Sequence, residues 1–557
     1  MRVYRALRFS FLLSLIVCVG GLFPPSVEAQ QDDRRPPPIQ QDTSVADGEP
    51  LELTLRGAVR TALEQNHNLQ DAELELRTAD AQVREAWGNL YPSLDLSGSY
   101  TRNVVTANPF AGSDAATQLG GDGETDWLAF NERRRLDPNA PPPITFPDFQ
   151  QRQRDSLAAA GLSLEADDNP FGVDNEFQGG LQLTQTLYSK QAFASVRGSQ
   201  QFKDVRQYAR DRQVQETTND VVTAFYQALL ATERARVREQ RVTRAERTLQ
   251  EVSQQVDRGV VPKAQRLGAE VEQANARTQM IDARNAADAA RDDLKRTMGL
   301  SADRPITLDG DLEERQDDGL EGISLESISL SEAVSQALDN RPDLQRARLN
   351  VELRGIEKDA SRSEFFPRVE AVANFNYSGR VPDDRSRIQT TDPDDPTNPF
   401  FYEEQSRGFF NDDFWNPSVS VGLQLSWNLF NGFQSSARVQ QAEVQRRQAE
   451  VQLDQLRDAV AVEVRRAVRD LETAREQIDA QETNVRRAEL NYDHVSKRVS
   501  EGVATPTELR EASDQLDESR LNYLQAVYDY LVARSDLETA LGRPLTPTSE
   551  SYLMTDR

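Results

Sequence analysis

Few residues of this chain are of a type that does chemistry, and they are poorly placed for catalysis. His67 and His494 are the only histidines in 557 residues, and both fall in helical patterns, where a surface position is the default. Cys18 is the only cysteine. No phosphate-binding loop, metal-ligand spacing or nucleophile motif occurs, so the sequence predicts no enzyme, no cofactor and no metal centre. What remains is carboxylate: 91 Asp and Glu against 65 Lys and Arg, a net charge of −26. So acidic a chain repels nucleic-acid phosphates, which excludes a nucleic-acid partner. Acidic side chains outnumber basic ones by 13 to 5 over residues 108–176. A cation site is one reading of that excess, and a solvated loop is the physical default. Glu508 and Glu511 are three apart and share a helix face. Thr505-Pro506-Thr507-Glu508 also fits a capping box, which would use the first of them.

The elements that must position these carboxylates follow from composition and period. Hydrophobic residues make up 37%, below the ~45–50% of an average domain, so thin apolar stripes are buried rather than a thick core. Residues 1–29 read as a secretory signal peptide: Arg2, Arg5 and Arg8 precede the apolar run Phe9–Phe23, and Val27-Glu28-Ala29 offers a cleavage site. Its removal takes three Arg and one Glu and moves the net charge to −28. Cys18 leaves with it, so no disulfide or thiolate chemistry is expected. Residues 30–50, with Arg34-Arg35-Pro36-Pro37-Pro38, read as a flexible Pro-rich N-terminus. No later segment is apolar enough for a transmembrane helix.

The chain is a duplication. Leu55, Ala58, Val59, Ala62, Leu63, Leu69 and Pro92 recur, all at one constant offset, as Leu330, Ala333, Val334, Ala337, Leu338, Leu344 and Pro367. Val256, Gly259, Val260, Leu294 and Gly299 recur at a second, shorter offset as Val499, Gly502, Val503, Leu537 and Gly542. Residues 51–310 and 328–545 are thus two repeats, joined by a linker at 311–327 and followed by a tail at 546–557.

Within each repeat a helix ends at a proline and the period changes to two. Residues 54–90 and 329–364 read as single helices. Strands are expected at about 92–104 and 177–188, and at about 367–379 and 417–430. Leu94, Leu96 and Tyr100 alternate with Asp95, Ser97 and Thr101, and Val419, Val421, Leu423 and Leu425 alternate with Ser418, Ser420 and Gln424. One apolar and one polar face at this length suit a strand between lipid and water, although a soluble sandwich alternates too. Residues 103–176 and 380–416, rich in Pro, Gly, Asn and Asp, read as long loops at one end.

Residues 190–257 contain no proline and one glycine, and 433–501 contain neither. Helices of 68 and 69 residues would each be ~100 Å long. The second carries a seam at Leu453, Leu456, Val460, Val464, Ala467, Leu471, Ala474 and Ile478, resuming at Val485, Ala488, Tyr492, Val495 and Val499. Its period near 3.5 is that of coiled-coil packing. Tip turns are expected at 258–262 and 501–506, where Gly259 and Gly502 supply left-handed backbone and Pro262 and Pro506 open the next helix.

Taken together, the repeat of helix, Pro-terminated strand pair, unbroken long helix, Gly-centred turn and shorter helix resembles the TolC-type outer-membrane efflux and secretion factors over residues 51–545. The resemblance implies a mainly α fold with membrane β structure. Each protomer of a homotrimer would give four strands to a shared 12-stranded barrel, continued by a long α-helical barrel. It implies an exit duct in the outer membrane, extending into the periplasm, that works with a periplasmic membrane-fusion adaptor and an inner-membrane transporter and is set in outer-membrane lipid. Arg258, Gly259, Val260, Gly502 and Val503 would then be the adaptor-contacting tip. Glu508 and Glu511 would form carboxylate rings that close the periplasmic entrance, from the second repeat only, since Gln265 and Gly268 stand in the first. Small-molecule efflux and type I secretion both use such ducts. The alternative, a periplasmic coiled-coil adaptor or scaffold, leaves four alternating strands without a role.

Overall fold

The computed structural model describes residues 51–105, 124–159, 173–310, 312, 329–390, 402–501 and 503–542. The expected signal peptide 1–29, the Pro-rich 30–50, the tail 546–557 and all of the linker 311–327 except Leu312 lie outside the described residues. In chain order the elements are β1 (Leu51–Leu53), α1 (Leu55–Gln65), α2 (His67–Gly88), β2 (Ser93–Arg102), α3 (Glu124–Leu136), α4 (Phe146–Ala159) and β3 (Asn175–Tyr188). There follow α5 (Lys190–Asp257), α6 (Lys263–Met298), β4 (Ile306–Leu308), α7 (Leu330–Asn340), α8 (Pro342–Arg362) and β5 (Arg368–Val381). The last are β6 (Ser386–Thr390), β7 (Tyr402–Ser406), β8 (Trp415–Ser426), α9 (Gln434–Ser500) and α10 (Pro506–Ala540).

These elements gather into two compact bodies that cut across the sequence repeats. Of the described residues, one takes those within 67–219, 324–473 and 533–557, the other those within 1–66, 220–323 and 474–532. The 68-residue α5 contributes residues to both. No helix among the described residues is long and apolar enough to cross a membrane.

The first body holds an antiparallel sheet in the order β2-β3-β5-β8. Leu94, Leu96 and Tyr100 stand opposite Leu183, Leu181 and Phe177. Leu181 and Leu183 stand opposite Phe375 and Ala373, which in turn face Val419 and Val421. The other face begins with Asp95, Ser97 and Ser99 beside Gln182, Gly180 and Gln178. It continues through Asn374, Asn376 and Ser378 to Ser420, Ser418 and Asn416. A slip of one residue anywhere would mix the two faces. The apolar face is bare, with Leu96 80% and Leu423 74% exposed.

Aromatic rings border this band at both ends. At the loop end Trp415 stacks on Tyr377 at 5.1 Å and on Phe177 at 5.6 Å, and its indole N–H donates to the Phe409 carbonyl at 2.8 Å. Gly379 makes this possible, because a Cβ there would lie 2.6 Å from the Trp415 ring. At the helix end Trp427 donates to the Phe365 carbonyl at 3.1 Å, and Lys190 Nζ sits 3.7 Å above the Phe366 ring. The twelve steps from Trp415 to Trp427 span ~40 Å along a strand and ~28 Å of height at ~45° tilt, the thickness of a bilayer's hydrocarbon core. Both long connections, 103–174 and 382–414, leave the sheet at the Trp415 end. The first was expected to be irregular loop, but it contains α3 and α4, and the second contains the β6–β7 hairpin.

The expected single helices 54–90 and 329–364 are each broken once, at equivalent positions of the two repeats. Asn66 has φ −65° and ψ 127°, and its counterpart Arg341 has φ −67° and ψ 125°. In the second body Gly299, at φ 80°, packs so closely on the first break that a Cβ would come 2.3 Å from the Gln65 carbonyl oxygen. Asn66 Nδ2 donates to the Thr297 carbonyl at 2.8 Å. In the first body Gly542, the repeat counterpart of Gly299 and at φ 70°, lies against the Arg341 backbone in the same way. Pro342 adds a local cause by disfavouring helical backbone at Arg341. Arg341 is buried and its guanidinium donates to both Asp343 oxygens at 3.1 and 2.7 Å, to Glu463 at 2.8 Å and to the Ala540 carbonyl at 3.3 Å. Burial alone would raise the Asp343 carboxyl, but the Arg341 hydrogen bonds and charge hold it below the usual carboxylate range.

The seam of α9 is inside: Leu453, Val460, Val464, Ala467, Leu471, Ala474, Ile478, Ala488, Val495 and Val499 are buried.

Asp343→Asn leaves Arg341 a buried cation with a weaker partner and is expected to cost ~3–5 kcal/mol at pH 7. Because the folded-state value of Asp343 is depressed, its stabilisation is present above the ordinary Asp value of ~4 and disappears as pH falls through the lower folded-state value. Thermal unfolding followed by helical circular dichroism at pH 7 and near pH 2 should show the gap between native and variant closing. Gly259, at φ 74°, has open space around its missing Cβ. Gly259→Ala should therefore cost only the ~1–2 kcal/mol of left-handed backbone, whereas Gly299→Ala must also displace the α1 end and should lower the melting temperature further.

Candidate functional site

The two turns in the second body close by the same hydrogen bonds. Val260 N–H donates to the Gln255 carbonyl at 2.9 Å, and Val503 N–H to the Arg498 carbonyl at 2.8 Å. Donors and acceptors both stand at equivalent positions of the two repeats, so this Schellman-type closure is duplicated with the sequence. Gly259 provides the positive φ in the first turn; Gly502 lies outside the described residues. Arg258 and Gly259 are exposed, and Val260 and Val503 present bare apolar side chains, 71% and 67% exposed.

Glu508 is engaged in a helix cap. Its N–H donates to Thr505 Oγ1 at 3.3 Å, and its carboxylate accepts from the Thr505 N–H at 3.2 Å and hydroxyl at 3.1 Å. Arg498 approaches to 3.7 Å. The Thr505 backbone N–H, then its hydroxyl, hold the Glu508 carboxyl below its ordinary value. Glu511, one turn further on, is exposed and among the described residues forms no hydrogen bond or ion pair.

Deeper in the same body lies a cluster that sequence reading did not find. Arg241 of α5 donates to Glu272 of α6 at 2.8 Å and to Asp514 of α10 at 2.6 Å. Arg244, one turn on, contacts the buried Asp517 and donates to Ser513 at 3.2 Å. Its guanidinium lies 5.9 Å from the ring centre of Tyr492 on α9. Four helices are thus joined around a cleft of about 40 Å³. Burial pushes the Asp517 carboxyl up, against the pull of Arg244 and Arg241, and burial also raises the Tyr492 hydroxyl. The matching i,i+3 spacings of 241/244 and 514/517 were a signal, but the partners lie 273 residues apart. His67 and His494 are exposed.

The outer membrane efflux protein family matches residues 58–123, 151–300 and 333–543. The alkaline protease secretion protein AprF of Pseudomonas aeruginosa is 25% identical over 362 residues, 65% of this chain and 69% of AprF. The CmeC outer membrane channel of Campylobacter jejuni superposes with a TM-score of 0.64 at 16% identity, covering 90% of this chain and 88% of CmeC. CusC superposes with a TM-score of 0.63 at 16% identity, covering 90% of this chain and 96% of CusC. At such identities the superpositions speak for the fold, and the family match for membership. A lipid-facing strand register, aromatic borders and seamed long helices are what a duct through the outer membrane requires, and the chain belongs to the outer membrane efflux protein family, as a channel subunit of that membrane.

Proposed function

We propose that three copies of this chain close one twelve-stranded barrel and that their helices form a tunnel in the periplasm. The observation that carries this reading is the sheet itself. Among the described residues β2 and β8 are each paired on one side only, and unpaired backbone N–H and C=O groups are not tolerated in lipid. Four strands are too few to curl into a closed membrane barrel, for which ~8 is the minimum. Joining β2 of one copy to β8 of the next removes every edge, and three copies reach twelve strands. The loops 103–174 and 382–414 then face outward, and the turns at 258–262 and 501–506 lie at the periplasmic end. There Val260 and Val503, bare and apolar, offer a surface to a periplasmic adaptor, which couples the duct to an inner-membrane transporter for efflux or type I secretion. Glu511, repeated by the threefold axis, would set a ring of free carboxylates at the entrance, with Glu508 the less available of the two.

Electron microscopy of the detergent-extracted protein should give a threefold particle with a detergent belt around the sheet end, and monomers would sink the shared barrel. On the apolar face, Leu423→Arg should cost ~2–4 kcal/mol near the midplane and reduce assembly. The neighbouring Ser420→Arg, on the polar face, should leave assembly intact and alter conductance.

Glu511→Gln should lower the cation-to-anion permeability ratio in planar bilayers, measured from reversal potentials, more than Glu508→Gln does. Unchanged selectivity in both variants would remove the carboxylate ring.

A further inference from the structure

The segment between β2 and β3 is acidic overall, yet all five of its basic residues between 108 and 176 lie on α3 and α4: Arg133, Arg134, Arg135, Arg152 and Arg154. The packing of this lobe gathers them. Trp127 meets Phe146 at 5.5 Å and Phe130 meets Phe149 at 5.4 Å, so contacts advance in step along both helices and the helices run side by side in the same direction. The connector returns along α3, because Ile144 O accepts from Trp127 and Asn131, both at 2.8 Å, and Pro142 O accepts from Arg134 at 3.3 Å. Contacts advancing in step from Phe130–Phe149 place Arg133, Arg134 and Arg135 in the last turn of α3 level with Arg152 and Arg154 near the middle of α4. Arg134 stacks 4.4 Å from the Phe130 ring centre, and burial, then repulsion from Arg152, disfavours its charged form.

Arg135 approaches Glu132 at 3.7 Å, both well exposed, while Arg133, Arg152 and Arg154 form no ion pair among the described residues. One or two cations suit a helix C-terminus, whereas α3 ends in three, and Arg133, Arg135, Arg152 and Arg154 are all exposed, free to take an external anion. Leu136 directly follows the triad and is 76% exposed, and Leu128 is 58% exposed. Arginine beside bare apolar side chains is the pattern of a surface that sits at a lipid headgroup layer, the guanidinium forks taking phosphate oxygens.

We propose that this lobe docks on the phosphate-bearing glycolipid of the outer leaflet beside the barrel, through Arg133, Arg135, Arg152 and Arg154, with Leu136 entering the headgroup layer. The proposal rests on the orientation given above, with the loops outside. Fifteen residues separate Ala159 from the start of β3, which holds the lobe within ~50 Å of the barrel rim and so within reach of the membrane surface.

The test uses the full-length protein purified in detergent, with lipopolysaccharide as probe, native or stripped of phosphate. The native protein should bind the phosphorylated form at least tenfold more tightly. R133Q/R135Q/R152Q/R154Q should lose that preference, and R133K/R135K/R152K/R154K should keep most of it, which separates charge from a folding defect. Leu136→Ser should weaken glycolipid binding but not binding of inorganic polyphosphate. Equal binding by the Gln variant, or polyphosphate bound as tightly as the glycolipid, overturns the proposal. Asp137→Cys, probed on intact cells with a membrane-impermeant maleimide, checks the orientation independently. No labelling removes the orientation and this proposal with it. Labelling together with unchanged glycolipid binding removes this proposal alone.

Discussion

Everything in this molecule depends on where the backbone hydrogen bonds of four strands can go. Inside the sheet, β3 and β5 are paired on both sides, and their register keeps apolar residues on one face and polar residues on the other. That arrangement solves the side-chain problem of a strand between lipid and water but leaves the two outer edges open. A soluble protein could cover an edge with a helix or a charged loop. In lipid an unpaired strand edge has no partner other than another strand. The aromatic borders at Trp415 and Trp427 set the depth of the band, and Gly379 is small because Trp415 must lie over it.

The helices answer a second constraint, that helices of 67 and 68 residues with one narrow buried seam have no thick core to draw on. That seam is rich in alanine, as at Ala467, Ala474 and Ala488, so each contact contributes little and rigidity comes from length. Fixed points are therefore needed, and the chain has built the same one twice. At Asn66 and at Arg341 a shorter helix is interrupted, and the left-handed glycine ending another helix is pressed against the interruption. The two copies differ in chemistry: a neutral side-chain-to-carbonyl bond at Asn66, a buried ion pair at Arg341. The geometry is what the two share, and the polar groups around it have diverged.

How much of this was legible in the sequence depended on the range of the cause. Alternation in the strands and the 3.5-residue seam were readable because lipid, water and a neighbouring helix each impose a period on consecutive residues. Asn66 gave no local sign of a break, since its cause is Gly299, at the far end of the same repeat. Arg341 was more readable, because Pro342 follows it. The helices α3 and α4 were hidden in a segment whose Pro and Asp content speaks for loop, and their order comes from Phe130, Phe149 and a returning proline run. In the second turn the capping motif Thr505–Glu508 could be read directly. The Arg241–Asp514 cluster could not, because i,i+3 charge pairs are common on any exposed helix and nothing local says which will meet.

That cluster also explains how a duplicated unit can pack against its own copy. Two identical repeats would bring like charges together wherever equivalent helices approached. Here Arg241 and Arg244 belong to the first repeat, and their equivalents in the second are Asn484 and Arg487. Asp514 and Asp517 belong to the second, and their equivalents in the first are Val271 and Ala274. Arg241 of the first repeat has no basic counterpart, and Asp514 and Asp517 of the second have no acidic ones, so this contact between the repeats is attractive. Because Asp517 is almost fully buried while Asp514 is half exposed, the pair grades from a fixed anchor to a contact that solvent can reach. The same asymmetry puts Glu508 and Glu511 on the second repeat opposite uncharged Gln265 and Gly268. The backbone turns are duplicates, and the charges around them are what distinguish the two.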